Sequence, residues 1–185
     1  MRETAFLTEL VKVAAETGAK AAMEQMDKER QKAQKSRANR RLHNTKLLLR
    51  NYRMFSEHIS NSIFEEVPAE SENAIDILDL MCERPNKEEL YVESIKRSVT
   101  RTRIIMAHVD EMLSIYGTYC NMSARPEEQR RYRVLYAMYI APAAATIDEI
   151  AAEEGIDKRT VYKDIDAAVE KLSALIFGID GLKRE

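Results

Sequence analysis

Apolar residues recur at intervals of three and four along most of the chain, and no stretch alternates with the period of two that a half-buried strand requires. An all-α fold is therefore expected. Residues 1 to about 36 read as a first helix, with Phe6, Leu10 and Val13 near one face and the small residues Ala14, Ala21 and Ala22 after them. Its later part lacks large apolar residues, and a helix without an apolar stripe needs a partner or frays. A second helix is predicted from about Asn39 to Phe64: Leu48, Tyr52, Phe55, Ile59 and Ile63 share a face, with Lys46, Arg50 and Arg53 to the side. Pro68 breaks the pattern. A short helix follows, with Ile75, Leu78 and Met81 inward, ending before Pro85.

The strongest periodicity comes next. Asn86 can cap a helix and Glu89 completes a capping box. Val92, Ile95, Val99, Thr102, Met106, Val109, Leu113 and Tyr116 then form an a/d seam with one polar member, and Gly117 would end it. Such a seam fits an internal helical bundle or a coiled coil that makes a homodimer through Val92–Tyr116. Residues 121–126 read as a polar linker, with Pro126 suited to the first turn of the next helix. That helix, about Glu127 to Ile140, would bury Tyr132, Leu135, Tyr136 and Tyr139 and stop at Pro142. The expected organisation is thus a helix over 1–36, a helical domain over 37–120, a linker over 121–126 and a final domain over 127–185.

The final domain carries the candidate chemistry. Thr146 and Glu149 have capping-box spacing, and Ile147 and Ile150 point to a core. Ala151 is small where two helices would cross, Gly155 supplies the positive φ of a tight turn, and Ile156 anchors that turn. Asp157 can cap a second helix whose Val161 and Ile165 face inward. This is the pattern of a helix-turn-helix. It leaves Lys158, Arg159, Thr160, Tyr162 and Lys163 on the side that enters a major groove in that motif. Arg159 could pair with guanine and Thr160 touch a thymine methyl, while Lys158, Tyr162 and Lys163 hold phosphates.

Charge changes the picture in two places. From Thr146 to Leu172 eight Asp/Glu stand against four Lys/Arg, and phosphate repels carboxylates, so the acids must turn away from DNA or meet a protein such as RNA polymerase. In the preceding helix Arg125, Arg130, Arg131 and Arg133 could lie along the DNA backbone and offset them. Net charge is only −2, yet nine Lys/Arg and no acid fall between Arg30 and Arg53, followed by eleven acids and two bases from Met54 to Ile95. The basic run reads either as a nucleic-acid arm or as a solvated face paired with the acidic run.

The run Leu42-His-Asn-Thr-Lys-Leu-Leu-Leu-Arg-Asn-Tyr-Arg, an acidic stretch, a long helix and a C-terminal helix-turn-helix together resemble phage and prophage transcriptional regulators of the ArpU/RinA type. Thr160-Val-Tyr-Lys-Asp-Ile-Asp is similar to the last domain of bacterial sigma factors. The resemblance spans about residues 40–178. It implies an all-helical fold with a sigma-like C-terminal domain, promoter binding, control of late phage genes and the DNA-reading residues named above. Competing readings are a sigma factor proper, a small terminase subunit and a helical adaptor without DNA binding.

Composition adds exclusions. Cys82 and Cys120 form no CxxC pair and read as reduced thiols of a cytoplasmic protein. The N-terminal apolar residues are interrupted by Glu3 and Glu9, so neither a signal peptide nor a span is expected. His43, His58 and His108 lack metal-ligand spacing. No nucleotide-binding or hydrolase motif occurs, so neither an enzyme nor a cofactor is expected.

Overall fold

The computed structural model describes residues 2–61, 73–83 and 99–178, and its side chains from residue 12 onward outside 79–83. All regular structure among the described residues is helical, and no described helix is long and apolar enough to cross a membrane. The chain divides into two compact units, Met1–Arg37 and Ala38–Glu185.

Helix α1, Arg2–Arg50, runs through the break expected near residue 37. Ser36-Arg37-Ala38-Asn39 contains no proline or glycine, so nothing there removes a hydrogen bond or favours another backbone conformation. The interruption falls at Asn51 instead. Its Nδ2 and its backbone N–H both donate to the Leu47 carbonyl, at 2.8 and 3.2 Å. Helix α2, Tyr52–Asn61, follows at once, and the Phe55 N–H still reaches the Asn51 carbonyl at 2.9 Å. In the first unit every described side chain is exposed, Val13, Met23 and Met26 included.

The second unit packs around one core. Helix α3 is Ala74–Glu83, α4 is Val99–Met122, α5 is Pro126–Leu135, α6 is Ile147–Glu154 and α7 is Lys158–Phe177. Helix α4 lies at the centre, against α2, α3, α5 and α7. Its seam residues Thr102, Met106, Val109, Leu113 and Tyr116 are buried by these neighbours. The seam is therefore spent inside the chain, and its described part is not open to a dimer partner. Asn86, Glu89, Val92, Ile95 and Ile63 lie outside the described residues. In α3 Leu78 is buried as expected, while Ile75 is exposed and Ala74 and Ile77 are buried; the Met81 side chain lies outside the described residues.

Gly117 does not end α4, which continues to Met122. It lies under the Tyr132 ring, and a Cβ there would come within 2.8 Å of that ring. The glycine permits close approach of α5, not a helix stop. Tyr116 meets Tyr132 edge to face, with ring centroids 5.9 Å apart. Residues 121–126 thus join two helices packed on each other within one core, not two separate domains.

Pro126 does occupy the first turn of α5. Past Leu135 the helix widens into one π-turn, Tyr136–Ile140, closed by the Ala141 N–H on the Tyr136 carbonyl at 2.8 Å. Tyr136 is exposed and Tyr132 and Tyr139 are half-buried; Val134 and Leu135 are the fully buried pair. Arg53 of α2 donates to two carbonyls at this end, Ala141 through Nε at 2.6 Å and Met138 through Nη2 at 2.7 Å. These carbonyls lie at a helix end, where in-helix donors run out.

Candidate nucleic-acid interface

The turn between α6 and α7 is built by local chemistry. Thr146 Oγ1 accepts from the Glu149 N–H at 3.3 Å, and Glu149 Oε2 accepts from the Thr146 N–H at 2.7 Å, a reciprocal capping box. At the other end Gly155 takes φ 65° and ψ 36°, left-handed backbone that a β-branched residue would resist. The Ile156 N–H then returns to the Ala151 carbonyl at 3.0 Å. Asp157 caps α7, accepting from the Thr160 N–H at 3.0 Å and the Thr160 hydroxyl at 2.7 Å. Ile150, Val161 and Ile165 are buried, and Ile147, Ala151 and Ile156 are half-buried against the same core.

This packing leaves Lys158, Arg159, Tyr162 and Lys163 exposed along the first turns of α7, with Tyr162 57% accessible. Thr160 differs from the other four. It is half-buried and its hydroxyl belongs to the cap, so only its methyl remains for apolar contact. Lys158 forms an ion pair with Asp148 of α6, whose hydrogen bond and charge raise the lysine pKa and keep it protonated.

The arginines of α5 are committed elsewhere. Arg130 Nε meets Asp164 Oδ2 at 2.6 Å, and Arg131 Nη1 meets Glu128 Oε1 at 2.6 Å with its Nε 3.5 Å from Asp164 Oδ1. Arg133 forms a two-pronged pair with Glu154, both bonds at 2.7 Å. Lys171 closes on the second oxygen of Glu128 at 2.6 Å. Asp164 and Glu128 are buried. The three arginines therefore hold α5 against α6 and α7 in the free protein, an internal role beside the one expected of them along the DNA backbone.

The same pairs answer the charge problem. Asp164, Glu154 and Asp148 have cationic partners, Glu149 and Asp157 are used in caps, and Asp166 pairs with Lys46 of α1 at 2.8 Å. Three members of the basic run have described partners elsewhere in the second unit. Lys46 goes to α7, Arg53 to the π-turn, and Arg41 sits 6.0 Å from the Phe177 ring centre.

Asp164, Glu128 and Lys171 were not singled out from sequence, and Lys46 was read only as a member of the basic run. Asp164 had a readable signal, since it stands three residues after Val161 and four before Ala168, inside the buried face of α7. Glu128 and Lys46 had none, because their partners are 43 and 120 residues away. No protein-family model, curated protein or solved structure matches the chain.

Proposed function

We propose that this protein binds duplex DNA through α6 and α7 and regulates transcription. One observation carries this: the capped, glycine-turned helix pair buries Val161 and Ile165 and thereby presents Lys158, Arg159, Tyr162 and Lys163 together on the outer face of α7. Arg159 is the base-reading residue and can pair bidentately with guanine. Lys158, Tyr162 and Lys163 hold phosphates. The resemblance to ArpU/RinA-type regulators adds the context of late phage promoters, with RNA polymerase as protein partner of the exposed acidic side of α6, where Glu153 stands.

The test is selection of fragments from genomic DNA by the purified protein at two salt concentrations, read by sequencing. Enrichment of one promoter-like site supports a sequence-specific regulator. Absence of enrichment at both salts, with and without polymerase, overturns it. On the selected site, Arg159→Ala is expected to cost about 1–3 kcal/mol and to relax preference at one base pair. Lys163→Ala should weaken all sequences alike and lower the salt slope by about 1. A salt titration on matched and mismatched duplexes separates the two effects, and equal behaviour of both variants and wild type would refute the groove assignment.

A further inference from the structure

Asp166 sits on the outer face of α7, four residues after Tyr162 and seven after Arg159, and is 67% exposed. With 3.6 residues per turn, it shares the face that presents Arg159 and Tyr162. A bare carboxylate there would oppose the phosphates flanking the groove. Its partner comes from far away in the chain: Lys46 Nζ lies 2.8 Å from Asp166 Oδ1. That bond brings the end of α1 beside the outward face of α7. On α1, His43, Lys46 and Arg50 follow one another at spacings of three and four, so they lie along one side of the helix. His43 and Arg50 are exposed and Lys46 is half-buried. The end of α1 is fixed in place rather than loose. Thr45, Leu48 and Leu49 are buried in the core, and Arg53 beyond them grips the π-turn.

We infer that Lys46 and Arg50 of α1 are a second phosphate-binding element, which contacts the DNA backbone beside the groove that α7 enters. The inference rests on the DNA-binding proposal above and adds to it a residue pair outside the helix-turn-helix. Asp166 holds Lys46 in the free protein and gives it up to phosphate on binding. Phosphate and Asp166 thus compete for one ammonium group, so Asp166 restrains affinity and Lys46 supplies it.

The experiment uses the full-length protein and fluorescence anisotropy on a random-sequence duplex of about two helical turns, titrated between about 50 and 200 mM salt. Each phosphate contact contributes about 0.9 to the salt slope of duplex binding. Lys46→Gln and Arg50→Gln should each lower the slope by about that much and weaken low-salt binding several-fold, whereas Lys46→Arg should retain it. Asp166→Asn should strengthen binding several-fold. The deciding variant carries Lys46→Gln together with Asp166→Asn. If Lys46 touches phosphate, it binds several-fold more weakly than Asp166→Asn alone. If Lys46 only neutralises Asp166, the two bind equally, and the inference is overturned. If wild type binds and Arg159→Ala alters its sequence preference while Lys46 and Arg50 variants match wild type, this element is refuted and the helix-turn-helix proposal stands. If wild type binds no duplex at either salt, both fail together. Circular dichroism verifies that each variant keeps its helices, as expected for largely solvent-facing groups.

Discussion

Asp164→Ala is expected to destabilise the second unit by about 3 kcal/mol, the lower end of what breaking a buried ion pair costs. The carboxylate is buried and faces both Arg130 at 2.6 Å and Arg131 at 3.5 Å. Without it, two guanidinium groups, about three-quarters buried, stand together, with Glu128 paired to Arg131 and Glu127 and Glu154 acting on Arg130 from further off. That partial compensation and the remaining exposure keep the effect from the top of the range. For a chain of this length the loss corresponds to a fall in melting temperature of roughly 6–12 °C. Removing both sides of the pair, as in Arg130→Met with Asp164→Leu, should recover much of it, because an apolar replacement leaves no unpaired charge. Equilibrium urea unfolding of the single and double variants checks this. A loss below about 1 kcal/mol for Asp164→Ala would mean the pair behaves like a solvent-screened surface bridge.

Ile150→Ala should cost about 2–5 kcal/mol, and the damage should be local. Helix α6 has eight residues, and Ile150 is the one fully buried among them. Ile147 and Ala151 are only half-buried, so Ile150 is the main apolar anchor of α6 beside the Arg133–Glu154 pair. Hydrogen exchange should accelerate across 147–156 while α4 and the second half of α7, buried through Ala168, Val169 and Leu172, stay protected. On the proposed reading DNA affinity should fall with it, since the first turns of α7 are positioned from the α6 side. Uniform acceleration over the whole unit would show instead that α6 opens only with global unfolding.

Acid should act on the same network. Burial alone would raise the pKa of Glu128, but the hydrogen bond and charge of Lys171, with Arg131 and Arg125, outweigh it and hold the group below its ordinary 4.5. Arg133 lowers Glu154 in the same way through their hydrogen bonds. A carboxylate with a depressed folded pKa contributes stability that is complete above its unfolded value and lost as pH falls through the folded one. Urea midpoints should therefore be steady above about pH 5 and drop toward pH 3, and Glu128→Gln should flatten that drop. An equally steep drop in the variant would place the acid sensitivity elsewhere.

The sequence carried local structure well and distant pairing poorly. The Thr146–Glu149 box, the Gly155 turn and the Asp157 cap are contacts between residues at most a few positions apart, and each is present. The all-helical class followed from periodicity alone. Gly117 misled because a glycine near a helix end and a glycine under a neighbouring ring look alike until Tyr132 is known to pack there. The internal partners of the α5 arginines were hidden for a similar reason. A basic cluster beside a helix-turn-helix pattern suits phosphates, and nothing local in the sequence shows that Asp164, Glu128 and Glu154 pair with it. Helix α1 was divided in two because its apolar content falls away near residue 37, whereas backbone continuity depends only on what the local residues permit.

The grip of Arg53 on the π-turn joins a side chain to two backbone carbonyls. Every amino acid offers such a carbonyl, so residues 138 and 141 can drift in identity without loosening the joint. The side-chain requirement of this joint falls on position 53. There even lysine, with one ammonium point in place of a planar fork, is a poor substitute for a donor set that spans two acceptors at once.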